Sequence, residues 1–463
     1  LKTTNFTWSA SKHRAGLSFN QLQAFDLIHD WYDSSPDAPF VLRGYAGTGK
    51  TFLIQRVIKS FQECFFKEKW GERSPIKVAL TAPTHKARHV LDAMATDAAL
   101  EEIHVSTLHS LLHVMPGEYD ESGKQKLKPN TYSREPFYSD FDLVVIDEAS
   151  MLGNELLNLI PKHIPTIFMG DPAQLPPVEE DLEQSPIFNL PCGIELTQVM
   201  RYEGAIAEYV TALRRDIGAQ FAPRLLSQGN IEKLQFDDWL QSIISAYKFN
   251  RHCVKVLAWT NNRVNTLNNQ IRTYLYPQAE QIEEGEILFA KEPIFRYTPE
   301  GDKSDIFMHS CAECQVIEFK EYSGRRHSLI HSPFKTYRIS VVNDMGKEGS
   351  LSIIHNDSWE LIKASIGEAK KSILSLEASK RKHAWREYYE FLEMYNLVVK
   401  GSLMQRLQYG YAITVHQSQG GTFPNCFVDT SNIFGCRDVK MRNKLLYVAY
   451  SRASEQLYCF SKW

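Results

Sequence analysis

A chain of 463 residues is too long for a single hydrophobic core and suits roughly two to four domains. Hydrophobic residues make up 43% and charged residues 23%, so each domain can bury an ordinary globular core. The formal net charge of −3 excludes bulk electrostatic attraction to nucleic acid; any such partner must be held in a local groove.

The opening segment, residues 1–16, is polar and lacks the apolar centre of a signal peptide. No uninterrupted apolar run reaches the ~18 residues of a membrane span, so no membrane partner is expected. The cytoplasm is the expected compartment, or the host cytoplasm if the source is a phage. Eight cysteines are scattered along the chain. Cys311 and Cys314 form a lone CxxC with no second pair at zinc spacing, which reads as reduced thiols.

The first half alternates short apolar runs with helical stretches. Strands are predicted at Pro39–Leu42, Lys77–Thr81, Leu143–Ile146 and Thr166–Met169, with a helix from Lys50 to about Phe66. Such βα alternation predicts a parallel sheet with helices on both faces. Between His113 and Tyr138 the pattern breaks into an inserted hairpin or loop. A second α/β pattern begins near Lys255–Trp259 and resumes at Leu407–Val415, Cys426–Val428 and Leu457–Phe460. The stretch between them is β-rich over Gln315–Ile354 and charged and helical over Trp359–Tyr395. The expected fold is therefore α/β with two cores, each carrying an insertion.

Gly44-Tyr-Ala-Gly-Thr-Gly49-Lys50-Thr51 completes the G-x-x-x-x-G-K-[ST] pattern, with a strand before it and a helix after. The backbone N–H groups of Ala46, Gly47, Thr48 and Gly49 can converge on phosphate oxygens at a helix N-terminus. Lys50 supplies charge for the β- and γ-phosphates, and the Thr51 hydroxyl can ligate Mg²⁺. Asp147 and Glu148 follow the apolar strand Leu143–Ile146. Asp147 suits Mg²⁺ held through water, and Glu148 suits a general base. The same two acids would also serve a helix start, as cap and first-turn charge. ATP and Mg²⁺ are the implied cofactors, but these motifs do not say what the energy does.

Further segments occur in order: Thr81-Ala-Pro-Thr-His-Lys-Ala87, Ser106-Thr-Leu-His-Ser110, Val145-Ile-Asp-Glu-Ala-Ser150 and Gly170-Asp-Pro-Ala-Gln-Leu-Pro-Pro177. Thr414-Val-His-Gln-Ser-Gln-Gly-Gly-Thr422 and Leu446-Tyr-Val-Ala-Tyr-Ser-Arg-Ala453 follow. From about Phe19 to the C-terminus this set resembles superfamily 1B helicases, the group of RecD and the phage Dda helicase.

The resemblance implies two RecA-like motor domains, at 1–112 with 139–200 and at 201–285 with 398–463. It also implies a hairpin insertion at 113–138 and a small β-barrel with a helical arm at 286–397. At matching positions it makes Gln21 the adenine-reading glutamine, Gln174 the γ-phosphate sensor, and Arg201 and Arg452 the arginines of the inter-domain cleft. Read alone, Gln21 could be a solvent-facing helix residue, Gln174 part of a Pro-rich turn, and each arginine a surface ion pair.

Gly420 and Gly421 permit backbone approach near the cleft. Pro83, Thr84, His85 and Lys86, then Thr107 and His109, combine small hydroxyls and imidazoles suited to contact without sequence reading. Thr260, Asn261, Thr414, His416 and Gln417 match DNA-facing positions, whereas Trp259 suits a core equally well. The hairpin region holds Tyr119, Tyr132, Phe137 and Tyr138 with Lys124, Lys126 and Lys128; it would either split the duplex or pack on itself.

The implied activity is 5′-to-3′ ATP-dependent DNA unwinding by a monomer acting on single-stranded DNA and a duplex junction, with replication or recombination proteins as partners. Two alternatives stay open: an ATP-gated translocase or switch that does not unwind, and an RNA helicase of the same superfamily.

Overall fold

A computed structural model describes residues 2–3, 12–34, 38–69, 72–119, 125–130, 136–177, 182–199, 204–278, 282–297, 303–400 and 402–460. The chain divides into two compact units, Leu1–Thr260 with Thr414–Trp463, and Asn261–Ile413.

The first unit holds two parallel sheets. Six strands build the first: β1 (Phe40–Gly44), β2 (Val78–Ala82), β3 (Ile103–Thr107), β4 (Leu143–Ile146), β5 (Thr166–Gly170) and β6 (Gly193–Leu196). Their order across the sheet is β6-β1-β5-β4-β2-β3, every neighbouring pair parallel. Both faces are covered, so alternate residues of one strand feed different cores. Leu42, Leu80, Val145 and Ile167 pack with the helices Phe19–Asp33, Lys50–Cys64 and His85–Asp97. Val41, Ala79, Val144, Ile146 and Phe168 pack against Leu108, Tyr138 and Phe188 on the other side.

Four strands of the second sheet lie in the order Ile231–Leu234, Ala453–Phe460, Phe423–Asp429, Val254–Ala258, again all parallel. The helix Val439–Tyr450 is buried at every position from Asn443 to Tyr450, and its last six residues, Leu445–Tyr450, carry no charge. At the end of Val254–Ala258, the Asn432 side-chain oxygen accepts the backbone N–H groups of Trp259 (2.8 Å) and Thr260 (3.1 Å). Trp259 is half-buried there.

The hairpin region contains the antiparallel strands Val114–Tyr119 and Gln125–Pro129. The Leu127 N–H donates to Glu155, tying the hairpin to the helix Asn154–Leu159. Lys124 and Tyr132 lie outside the described residues. Phe137 is exposed and stacks on His113 with centroids 4.3 Å apart. Tyr138 is a core anchor whose hydroxyl lies 2.8 Å from that of Thr166.

The second unit opens with the helix Asn261–Leu275. Its sheet is antiparallel, in the order Glu348–Ile354, Ile330–Asn343, Glu313–His327, Ile287–Ala290, Leu407–Tyr409. The helical stretch is two helices, Trp359–Ser375 and Ala378–Met394, packed on a core that includes Phe334 and Phe391.

Two sequence expectations change. Leu407–Val415 is not one strand of the second parallel sheet: Leu407–Tyr409 joins the antiparallel sheet beside Ile287–Ala290 and ends at Gly410. A Cβ at Gly410 would meet the Ile287 side chain at 3.1 Å, so the two chains cross closely there. The predicted helix from Lys50 stops at Cys64, because Phe65 turns extended and begins a strand, Phe65–Lys69.

Candidate active site

The glycine-rich loop leaves the end of β1 and enters the helix Lys50–Cys64. Gly47 and Gly49 have φ of 79° and 75°, the left-handed region that lets successive amides turn inward. The Lys50 ammonium donates to the carbonyls of Gly44 (2.8 Å) and Tyr45 (3.1 Å), spanning the loop it would otherwise use to grip phosphate.

Gln21 is buried beneath the loop rather than facing solvent. Its Oε1 accepts the Ser18 N–H (3.0 Å) and its Nε2 donates to the Thr48 carbonyl (3.1 Å). A Cβ on Gly49 would come within 2.6 Å of that amide nitrogen, so the loop and the helix Phe19–Asp33 are fitted to one another.

At the end of β4, Asp147 accepts the Glu148 N–H (2.8 Å), and the Asp147 N–H donates to the Thr81 carbonyl of β2. Glu148 has φ 49° and ψ 37°, a left-handed conformation that costs a non-glycine residue energy and is tolerated where geometry matters. Beyond β5, Gln174 is buried, and its Oε1 has no hydrogen-bond partner among the described residues. An orphaned buried acceptor costs stability unless a ligand or water completes it.

Arg452 comes from the second sheet. It is buried and held by the Val448 carbonyl (3.1 Å), the Gly421 carbonyl (3.0 Å) and the Ser451 hydroxyl (2.9 Å). Gly420, at φ 73°, brings its backbone against Ala87. These groups share one cavity of about 300 Å³, lined by the loop from Ala46 to Phe52 and by Asp147, Glu148, Gln174, Gly420 and Arg452. Thr51 and Asp147 both face it, a hydroxyl and a carboxylate that match the hard oxygen ligands Mg²⁺ takes. Arg201 lies outside the described residues.

The sequence reading missed a second layer. Asp171, fully buried just past β5, accepts from the Tyr447 hydroxyl, from Arg214 Nη2 (3.1 Å) and from the Ala173 N–H (3.0 Å). Tyr447 in turn accepts the loop's own Ala46 N–H (2.9 Å). The Arg214 guanidinium lies 3.8 Å over the Tyr45 ring and also bonds Glu195 (2.7 Å). Nearby, Lys444 donates to the Glu183 carbonyl (2.6 Å), and burial with neighbouring Lys440 pulls its pKa down to about 8. Asp171 and Tyr447 stand inside quoted motifs, and an acid ending a buried strand was a signal that went unused. Arg214 had no local signal.

The residues expected on the nucleic-acid side cluster at strand ends. Pro83, Thr84 and His85 follow β2, while Thr107 ends its neighbour β3 and His109 follows, with Ala82 in register with Thr107. Thr84 and Thr107 cap the helices that begin there, accepting from Ala87 (3.3 Å) and Ser110 (3.2 Å). Thr414 and Gln417 bond one another: the Gln417 Oε1 accepts the Thr414 N–H (3.0 Å), while the Gln417 N–H donates to the Thr414 hydroxyl. Burial lowers the pKa of His109 and of His416, which favours the neutral imidazole at pH 7. Asn261 is exposed at the start of its helix in the other unit.

A strand, a glycine loop whose lysine sits among its carbonyls, and an acidic pair ending a nearby strand define a P-loop nucleoside triphosphatase. The AAA domain family matches residues 19–235 and the UvrD-like helicase C-terminal domain family matches residues 409–459. An uncharacterised protein of Acanthamoeba polyphaga mimivirus is 26% identical over 94% of this chain and 98% of its own. The ATP-dependent DNA helicase dda of Enterobacteria phage T4 is 26% identical over 89% of this chain and 92% of its own. The ATP-dependent RecD2 DNA helicase of Deinococcus radiodurans is 30% identical over 42% of this chain, which spans 24% of that longer protein. The two matched families and these relatives make the chain similar to superfamily 1B helicases, and its enzymatic class is that of an ATP-hydrolysing helicase.

Proposed function

We propose that the protein is a DNA helicase that hydrolyses ATP at the Lys50 loop and moves 5′ to 3′ along single-stranded DNA. The observation that carries this reading is the shared cavity, which gathers the loop, Asp147, Glu148 and Gln174 from the first sheet and Arg452 from the second. Each group has a distinct task. Loop amides and Lys50 hold the phosphates, Glu148 takes the proton of the attacking water, and Arg452 stabilises charge developing on the transferred phosphoryl group. Thr51 and Asp147 would hold Mg²⁺, which supplies charge neutralisation across the phosphates when bound. Gln21 reads adenine beside the loop it buttresses. Arg201 is assigned with Arg452 from its motif alone.

Because Arg452 and Gln174 sit on different sheets, nucleotide turnover alters the contact between the two halves. Pro83, Thr84, His85, Thr107 and His109 on one sheet, and Thr260, Asn261, Thr414, His416 and Gln417, then grip DNA in alternation. The motor domains are assigned to 1–112 with 139–200 and to 201–285 with 398–463, the hairpin at 113–138 to duplex splitting, and 286–397 to a bracing barrel and arm. A monomer acting in the cytoplasm, alone or beside replication or recombination proteins, is the matching cellular form.

Unwinding of a duplex with a 5′ single-stranded tail, compared with its 3′-tailed counterpart, tests direction. The 5′-tailed substrate is expected to be opened and the 3′-tailed one left intact, with Lys50→Ala abolishing the reaction. Stimulated ATPase with neither duplex opened would make the protein a translocase or switch and remove the splitting role from 113–138. Matched DNA and RNA oligonucleotides in the ATPase assay distinguish the two polymers, with DNA expected to stimulate more strongly.

A further inference from the structure

The second unit contains a cavity of about 390 Å³ between the helix Asn261–Leu275 and the antiparallel sheet. The helix is unusual in composition: Asn-Asn-Arg-Val-Asn-Thr-Leu-Asn-Asn-Gln places asparagine at 261, 262, 265, 268 and 269. Asparagine is a poor helix-interior residue, because its side chain competes with the backbone for hydrogen bonds. A local preference set aside this consistently needs a compensating use.

One asparagine has a structural use. Asn268 is buried and clamps Ala412, accepting its N–H (2.7 Å) and donating to its carbonyl (3.0 Å). Asn265 and Asn269 sit one turn apart, and both line the cavity. Both are exposed to solvent, and neither side chain bonds another of the described residues. Tyr337, Trp359 and Tyr409 also line it.

The lining carries no charged side chain. The nearest cation on the same helix, Arg272, lies behind the Tyr409 ring (4.8 Å to its centroid) and is paired with the buried Glu286 (2.6 Å). Aromatic side chains and carboxamides, without charge, match a planar neutral heterocycle that both donates and accepts hydrogen bonds.

We infer that this cavity receives a single unpaired nucleobase of the DNA strand, with its phosphates left outside. The inference rests on the proposed DNA-motor function and adds to it a base-holding site away from the phosphate loop. Such a site resists slippage, because the strand advances only when the base leaves its pocket.

The test uses the full chain and oligodeoxythymidylates in which one abasic residue is walked along the strand. An abasic residue at one position, and at no other, is expected to weaken binding roughly tenfold, the scale of one lost base–aromatic stack. Trp359→Leu with Tyr409→Leu should weaken binding of the intact strand equally and remove the sensitivity to that position. Asn265→Ala with Asn269→Ala, which alters only cavity-facing amides, should do the same in part and guards against a folding defect in the aromatic variant. Photocrosslinking of 4-thiothymidine at the sensitive position should label a peptide within 261–413. Uniform sensitivity along the strand, or crosslinks confined to other segments, overturns the base pocket. Binding of free saccharides at the same rings in preference to the oligonucleotide overturns it as well. DNA-free ATPase reports on the proposed motor function separately, since none of these side chains lines the phosphate cavity; loss of that activity in the unmodified chain would sink the motor reading instead.

Discussion

Glu148→Gln is expected to reduce ATP turnover by roughly 10²–10⁴-fold, the range that a positioned general base contributes. The change keeps the shape of the side chain and removes its ability to take a proton. Lys50, Thr51 and the loop amides stay in place, so nucleotide affinity should stay within a few-fold of the parent. Steady-state kinetics with titration of a fluorescent ADP analogue separates the two quantities. The expected pattern is a collapsed kcat with nucleotide binding retained. Lys50→Ala should differ in kind: it removes the charge that meets the β- and γ-phosphates, so nucleotide binding itself weakens. If the glutamine variant kept more than a tenth of the parent kcat, the base would have to be sought elsewhere, with Asp147 the first candidate. Glu148 faces the same cavity as Lys50 and Thr51, which supports its assignment.

The phosphate site was legible in the sequence because its chemistry is local. Gly44 to Thr51 is contiguous, its glycines meet a backbone requirement, and Asp147 and Glu148 follow an unmistakable buried strand. Parallel-sheet strands also read well, since burial on both faces leaves short continuous apolar runs such as Leu143–Ile146. The reading failed where a segment's partner is distant in sequence. Leu407–Tyr409 reads Leu-Gln-Tyr, too short to name its sheet, and only its pairing with Ile287–Ala290 decides which one it joins. Gln21 is singled out by the family resemblance, but its bond to the Thr48 carbonyl joins positions too far apart in the chain to be read locally. Arg214 lies in Ala-Leu-Arg-Arg-Asp, with nothing nearby to separate it from a solvated charge.

The contacts of Arg214 make the second large effect. Asp171 is a fully buried carboxylate, and Arg214 is its cationic partner. Removing one member of a buried pair strands the other and typically costs about 3–5 kcal/mol. Arg214→Ala is therefore expected to lower stability by about that amount, read as a shifted urea midpoint. Asp171→Asn should cost less, since the amide oxygen can still accept from Tyr447 and the guanidinium keeps Glu195. Tyr447→Phe removes one hydroxyl and should cost only about 1.5–3 kcal/mol, the scale of a hydrogen bond to a charged group. Its main effect should fall on coupling. The Tyr447 hydroxyl joins the Ala46 N–H of the loop to Asp171, and the Asp171 carbonyl accepts the Gln174 N–H (3.0 Å). Tyr447 also lies five residues before Arg452 on the same segment, so one tyrosine connects loop, sensor glutamine and arginine. Without it, ATP hydrolysed per base pair opened should rise several-fold even where turnover persists. Tyr450→Phe on the same helix is the control, because its hydroxyl meets Thr430 (3.0 Å) rather than the loop. Equal uncoupling in both variants would mean that a loosened helix, not the Tyr447 bridge, is responsible.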